Sequence, residues 1–71
     1  MEIRARVPGA VESILVKEGD HVEVEDVLVK LEAMKMVQSV LAPKAGEVSE
    51  ILVEEGDRVK SGQVIMTIEE D

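Results

Sequence analysis

The sequence has 71 residues, no cysteine, no aromatic residue and a formal net charge of −8 at pH 7. A chain this short forms one small domain near the lower size limit for a self-supporting core, and without cysteine it has neither disulfides nor thiolate metal sites to reinforce it. The negative charge and the lack of aromatic stacking platforms argue against a nucleic-acid partner. We interpret the charge as a source of solubility for a protein that moves between partners.

The first residues carry no recognisable targeting signal. Met1 to Gly9 contain two arginines but no apolar segment, unlike a secretory signal. No run of the sequence approaches the length of a membrane span. We therefore expect a cytoplasmic protein without membrane insertion.

The chain contains an internal duplication, because residues 5–32 align without a gap on residues 42–69. Ile14-Leu15-Val16 falls on Ile51-Leu52-Val53, and Gly19-Asp20 falls on Gly56-Asp57. Two copies are too few for a solenoid and instead predict one domain with an approximate two-fold axis. Residues 33–41 belong to neither copy.

Short apolar runs, interrupted by Gly, Pro and Asp about every eight to twelve residues, predict an all-β chain. No stretch sustains the spacing of an amphipathic helix. In chain order we predict strands or bridges at residues 3–7, 11–16, 21–23, 27–32, 36–41, 48–53, 58–60 and 64–68, with 69–71 as a solvated tail. Val27, Val29 and Leu31 are predicted to share one face. Eight short strands without a helix indicate a flattened barrel or sandwich of two four-stranded sheets, which buries a common face and hides the strand edges.

Four of the predicted turns contain a glycine next to proline, alanine or aspartate. At Pro8-Gly9, and again near Ala45-Gly46, proline or alanine leads into a glycine that we expect to accept a positive φ. At Gly19-Asp20 and Gly56-Asp57, the aspartate can bond nearby backbone N–H groups.

One position breaks the repeat, since Glu25 aligns with Gly62. A shared turn with positive φ would place Glu25 in a conformation that side chains other than glycine rarely adopt. We predict instead that Glu25-Asp26 forms a different turn, in which Asp26 takes the unusual conformation.

Residues 33–36 form the predicted hairpin between the copies, with Met34 and Lys35 at its tip. A lone exposed lysine is usually only a solvated charge, and the methionines could fold back to fill gaps at the barrel end. However, Met-Lys-Met is an unusual choice for an exposed turn, where Asn, Gly and Asp are common. The central place of Lys35 in a duplicated scaffold therefore favours a functional lysine.

The segment Glu32-Ala33-Met34-Lys35-Met36 resembles the attachment motif of biotinyl carrier domains, the biotin carboxyl carrier proteins of biotin-dependent carboxylases. The resemblance covers nearly the whole chain and includes Pro8-Gly9, both Gly-Asp turns, Ala42-Pro43 and Gly46. It implies a barrel-sandwich hybrid fold, a flattened β-barrel. The single domain would span residues 1–71, with repeat halves 5–32 and 42–69 and an attachment hairpin at 33–36.

The resemblance also implies a function. A biotin protein ligase would join biotin to the Lys35 amine through an amide bond. The tethered biotin would then carry carboxyl groups from a biotin carboxylase to a carboxyltransferase. Because a solvated lysine amine is almost wholly protonated near neutral pH, the ligase must supply desolvation or a base. Glu32, Ala33, Met34 and Met36 would serve ligase recognition, with Glu32 alternatively forming a hairpin-end hydrogen bond.

The cofactor supplies the chemistry in such a carrier, so we expect no catalytic and no metal-binding residue in this chain, which would be a carrier rather than an enzyme. The sequence departs from the family at Val37-Gln38-Ser39, Leu41 and Glu25. No stretch between the early strands is long enough for the protruding thumb loop of some carriers. No Ala/Pro-rich linker precedes the first strand, which leaves open both a free-standing subunit and an excised domain.

Two other carrier or binding functions compete with this one. Lipoyl domains share the fold, but their lysine usually follows an aspartate, and Met34 and Met36 argue against them. An unmodified barrel-sandwich, as in transporter adaptor subunits, would make the motif accidental. The substrate of the parent enzyme, an acyl-CoA or an oxoacid, is not specified by fold or motif.

A direct catalytic or metal site has less support. Glu23, Glu25 and Asp26 form a carboxylate cluster, but a solvated edge explains it better than acid–base work, and the spacing is not that of a calcium loop. His21 has no second ligand type near it in the turn and is expected to be solvated.

Overall fold

The computed structural model describes residues 1–71 and contains eight β-strands and no helix. The strands are β1 (Glu2–Arg4), β2 (Gly9–Ile14), β3 (His21–Val22), β4 (Val27–Ala33), β5 (Met36–Leu41), β6 (Gly46–Ile51), β7 (Arg58–Val59) and β8 (Val64–Glu70). They form two four-stranded sheets, in the orders β1-β8-β6-β3 and β5-β4-β2-β7, and all strand pairs are antiparallel. The predicted all-β architecture of two four-stranded sheets is confirmed.

The duplication in the sequence is also a duplication in the sheets. Strands β2, β3 and β4 occupy the same positions in the alignment as β6, β7 and β8, and β1 matches the second half of β5. The pairing registers repeat as well, since Ile3 lies opposite Met66 in one sheet and Val40 lies opposite Val29 in the other. Strand β5 is longer than β1 because it continues the hairpin that starts with β4.

A single aliphatic core of 14 buried residues lies between the two sheets, and no polar side chain is buried in it. Alternation along β4 is broken by an irregularity in register between Val27 and Val29. As a result Leu28 and Val29 are both fully buried, while Val27 is only half-buried. The prediction that Val27, Val29 and Leu31 form the inner face therefore missed Leu28, because a β-bulge shifts the period of two.

The predicted turns at Pro8-Gly9 and Ala45-Gly46 are wrong, because Gly9 and Gly46 are the first residues of β2 and β6. Neither glycine has a positive φ. A Cβ atom on Gly9 would lie 2.5 Å from the carbonyl oxygen of Glu32, and one on Gly46 would lie closer still to that of Glu69. These glycines are therefore required by the close approach of a neighbouring strand rather than by a turn.

Several strand ends differ from prediction. Strand β1 stops at Arg4 rather than at residue 7, β2 and β6 begin and end two residues earlier than predicted, and β5 is as predicted. Strand β8 continues to Glu70 because Glu69 and Glu70 pair with Glu47 and Gly46. The last residues are therefore part of a sheet and not a free tail, although their side chains are exposed.

The two predicted Gly-Asp turns are confirmed. Gly19 and Gly56 have φ values of 95° and 96°. The carboxylates of Asp20 and Asp57 each accept a hydrogen bond of 2.9 Å from the backbone N–H three residues earlier. Both turns are therefore held by the same side-chain bond.

The prediction for the Glu25 turn is wrong, because Glu25 itself has φ 72° and Asp26 does not have a positive φ. The Glu25 N–H donates to the Ala42 carbonyl at 2.7 Å, as the Gly62 N–H does to the equivalent carbonyl. The Asp26 N–H closes the turn onto the Glu23 carbonyl at 3.1 Å. Because these bonds are shared by both copies, the backbone keeps the glycine geometry even where the residue is glutamate.

Candidate functional site: the attachment hairpin

The hairpin between β4 and β5 has a loop of two residues, closed by the pair Ala33 and Met36. Met34 has φ 53° and Lys35 has φ 66°. Positive φ at both central residues is what a type I′ turn requires, and this turn matches the right-handed twist of the flanking strands. The loop is as short as a hairpin loop usually is, so Lys35 is held at the end of a paired ribbon.

The two methionines of the motif point into solvent. The exposed fraction is 95% for Met34 and 64% for Met36. The alternative in which they fold back to fill gaps at the barrel end is therefore wrong. Met34 lies beyond the last residue pair of the sheet and Met36 belongs to that pair, so neither side chain reaches the core.

The Lys35 side chain is exposed and makes no ion pair and no side-chain hydrogen bond. No histidine or carboxylate contacts its amine to act as a base, so any partner that acylates it must provide that function. An amide-linked group needs one accessible primary amine on a fixed base. The position of Lys35 at the tip of a paired hairpin fits that requirement.

Glu32 and Ala33 are the last residues of β4 before the turn. Glu32 is exposed and lies opposite Val37 on one side and Ala10 on the other. Its carboxylate forms no hydrogen bond, so the proposed hairpin-end hydrogen bond is not formed. The structure thus brings the five motif residues together at one end of the sheet, with no internal partner for either of the two charged ones.

An open groove of about 580 Å³ runs beside the hairpin and includes Lys35 in its wall. Strand β7 and the turn that follows it contribute Arg58, Lys60 and Gln63. Sequence reasoning missed these residues because they are distant from the motif along the chain. The internal repeat could have identified them, because the second copy has Arg58 and Lys60 at the positions where the first copy has His21 and Glu23.

A second cavity of about 400 Å³ lies between the edge strands β1 and β5, lined in part by Arg4, Gln38 and Leu41. No residue of the attachment hairpin lines it. It is therefore separate from the lysine site.

His21 is exposed, as predicted, but it is not isolated. Its Nε2 atom lies 2.9 Å from a carboxylate oxygen of Asp71, and its Nδ1 atom lies 3.2 Å from one of Glu23. The hydrogen bond with Asp71 is the main cause that raises the pKa of His21 above its ordinary value, and the charges of Glu23 and Asp26 act in the same direction.

No group of three or more His, Cys, Asp or Glu side chains is arranged to hold a metal ion. No helix of the structure is long and apolar enough to cross a membrane.

The fold and the site define a class of protein: a small duplicated β-barrel domain that presents an unpartnered lysine on a two-residue turn. The family described as "Biotin-requiring enzyme", the biotin/lipoyl family, matches residues 1–68 of this chain. The chain belongs to this family, and the resemblance predicted from the motif is confirmed.

Individual relatives agree with the family assignment. The chain is similar to a "Biotinylated protein TB7.3 homolog" of Mycobacterium leprae (strain TN), with 47% identity over 45 residues that make up 63% of each protein. It is also similar to part of a single-chain, multi-domain long-chain acyl-CoA carboxylase, with a TM-score of 0.89 and 33% identity over 93% of this chain and 7% of that one. For the Kluyveromyces lactis urea carboxylase, the TM-score is 0.90 and the identity is 34% over 96% of this chain and 6% of that one. The chain thus spans less than two thirds of the curated relative and a small part of each carboxylase.

Proposed function

We propose that the chain is a biotin carboxyl carrier. Lys35 is the residue to which a biotin protein ligase attaches biotin, and the arm then moves carboxyl groups between a biotin carboxylase and a carboxyltransferase. The observation that carries this proposal is the unpartnered Lys35 amine at the tip of the hairpin, within the Glu32 to Met36 segment, in a chain of the biotin-requiring family. The carrier is a component of a biotin-dependent enzyme and not itself the catalyst.

The chain contributes to this function by holding the lysine arm in a fixed position. Six residues of β4 pair with β5, and Leu31 anchors the hairpin base in the core with 1% of its surface exposed. When bound, biotin supplies the ring nitrogen that carries the carboxyl group. A fixed base with a long flexible arm raises the local concentration of the carried group to the order of millimolar at each partner site.

Ligase recognition is assigned to Glu32, Ala33, Met34 and Met36. Met34 supports this assignment, because a methionine that is 95% exposed contributes nothing to the core and is available to a partner surface. Glu32 supports it because its exposed carboxylate has no partner within the chain.

The cytoplasmic location stays a prediction.

Similarity to parts of two multi-domain carboxylases supports the biotin carboxylase and the carboxyltransferase as the partners of the loaded arm. The fold and the motif are compatible with several acceptor substrates, so the acceptor is not assigned.

The proposal is tested by the intact mass of the chain after incubation with biotin, ATP and a purified biotin protein ligase. We expect a single gain equal to one amide-linked biotin. The variants Lys35→Ala and Lys35→Arg should show none, and Lys35→Arg keeps the charge at the turn. A wild-type chain that gains no mass from a ligase active on a known carrier would rule out the biotin function. A gain with a lipoate ligase instead would establish the lipoyl alternative.

A further inference from the structure

The groove beside the attachment hairpin has the opposite charge to the rest of the molecule. Lys35, Arg58 and Lys60 line it together with one carboxylate, that of Glu32, which gives a formal charge of +2. The chain as a whole carries −8, so the remaining surface is strongly acidic. Cations are half as numerous as carboxylates in this sequence, yet three of them meet in this hairpin groove.

The internal repeat offers a comparison for this distribution of charge, because the first copy repeats the backbone that carries Arg58, Lys60 and Gln63 in the second. There, the alignment places His21, Glu23 and Asp26 where the hairpin groove has Arg58, Lys60 and Gln63. Immediately after the aligned segments, Glu70 and Asp71 follow the second copy where Ala33 and Met34 follow the first. Every one of these differences makes the hairpin end more positive or less negative.

The fold itself does not require the cationic residues. The Gln63 side chain accepts a 2.9 Å hydrogen bond from the Lys60 N–H, as the Asp26 side chain does from the Glu23 N–H, so the turn is closed equally well without a charge. At the C-terminal end the cation Lys44 has a partner, because it forms an ion pair with Glu70 at 3.5 Å. Arg58 and Lys60, by contrast, are exposed and form no ion pair and no side-chain hydrogen bond. Their charges are available to a partner.

We propose that the hairpin groove is a docking surface for a carboxylate-rimmed active-site entrance on the biotin protein ligase that modifies Lys35; this inference rests on the proposed function. Carboxylates on the rim would pair with Arg58 and Lys60, while the acidic remainder of the carrier is repelled by the same rim. The carrier therefore approaches the ligase with its hairpin first. Long-range attraction of this kind acts mainly on the association rate and weakens as salt screens the charges.

The test compares two double variants of equal net charge. Arg58→Glu with Lys60→Glu reverses the groove, and Lys17→Glu with Lys44→Glu makes the same change in charge at exposed positions that do not line it. Thermal unfolding establishes that both are folded, and Arg58→Gln with Lys60→Gln serves if the reversed variant is not. The measurement is kcat/KM for biotinylation by a purified biotin protein ligase at roughly 0.02 M and roughly 0.5 M salt.

We expect the groove reversal to lower kcat/KM about ten-fold or more at low salt and to approach the wild-type value at high salt. The control pair should remain within about two-fold of wild type at both salt concentrations. A groove variant that is biotinylated at the wild-type rate at low salt would overturn the docking inference, and so would a control pair that loses as much. In both cases the proposed function would stand, since it fails only if the wild-type chain accepts no biotin.

Discussion

Substitutions at Gly62 and Glu25 test whether the two copies of the turn impose the same backbone conformation. Gly62 has φ 85° and Glu25 has φ 72°. A Cβ atom on Gly62 would meet no other atom within 4 Å, so Gly62→Ala introduces no clash and costs only the left-handed backbone. That cost is about 1 to 2 kcal/mol for an L-residue, and the reduced freedom of the unfolded chain offsets part of it. Glu25→Gly removes the same cost but adds freedom to the unfolded chain, which leaves a net gain of about 0.5 kcal/mol.

Gly46→Ala provides the contrast, because its glycine has no positive φ but packs against the backbone carbonyl of Glu69. The added methyl group collides with main-chain atoms, and a backbone carbonyl cannot move aside as the end of a side chain can. We expect a loss of about 2 to 3 kcal/mol, at the upper end of overpacking costs. Conformational cost and steric cost are thus separated at two glycines of one small domain.

The three variants are compared by urea and thermal unfolding followed by far-UV circular dichroism, since the chain has no aromatic residue for fluorescence. For a domain of this size, about 1 kcal/mol corresponds to a shift of roughly 4 to 8 °C in Tm. The predicted order of stability is Glu25→Gly above wild type, then Gly62→Ala, then Gly46→Ala. A Gly62→Ala variant as unstable as Gly46→Ala, or a clear loss in Glu25→Gly, would refute the reasoning.

Three further outcomes are expected. Leu28→Ala removes a fully buried side chain and should cost about 2 to 5 kcal/mol in urea unfolding; a smaller loss would mean that the sheets close over the cavity. Because the pKa of His21 is raised, chiefly by its hydrogen bond with Asp71, this contact stabilises the fold fully below the ordinary value of 6.5 and loses its effect as pH rises through the folded value. His21→Gln should therefore lower Tm at about pH 5.5 but not at about pH 8.5, and equal losses at both would contradict this assignment. Met34→Ala should leave stability within about 0.5 kcal/mol, since the side chain is 95% exposed, yet slow biotinylation; a fall in Tm would show a structural role.

The all-β architecture could be predicted from the sequence because the same spacing of turn residues between short apolar runs occurs in both copies. Each copy places glycine and aspartate at the same steps, so a turn predicted in one copy supports the equivalent turn in the other. The aspartates at 20 and 57 illustrate this, since their turn role depends only on backbone groups three residues away. Local chemistry of this kind can be read from a sequence.

The errors concern contacts between distant parts of the chain. A glycine at a strand start and a glycine in a turn look alike in sequence, and only the approach of Glu32 shows why residue 9 must lack a side chain. The conformation of Glu25 is imposed by a carbonyl at Ala42. The pairing of His21 with Asp71 joins residues that are 50 positions apart in the chain. Such contacts exist only once the sheets have formed.

The backbone conformation of the attachment hairpin opposes local stability. A type I′ turn favours Asn-Gly, yet Met34 and Lys35 occupy it with φ values of 53° and 66°. Each L-residue in this conformation costs on the order of 1 kcal/mol, which the β4–β5 pairing and the buried Leu31 must offset. Glu25 is the only other non-glycine residue with a positive φ, and it follows a turn geometry that the second copy builds with glycine. Met34 and Lys35 have no such counterpart, since they lie outside both copies. The proposed function gives this conformation a reason, because replacing Lys35 by glycine would relieve the turn but remove the amine to which we propose that biotin is attached.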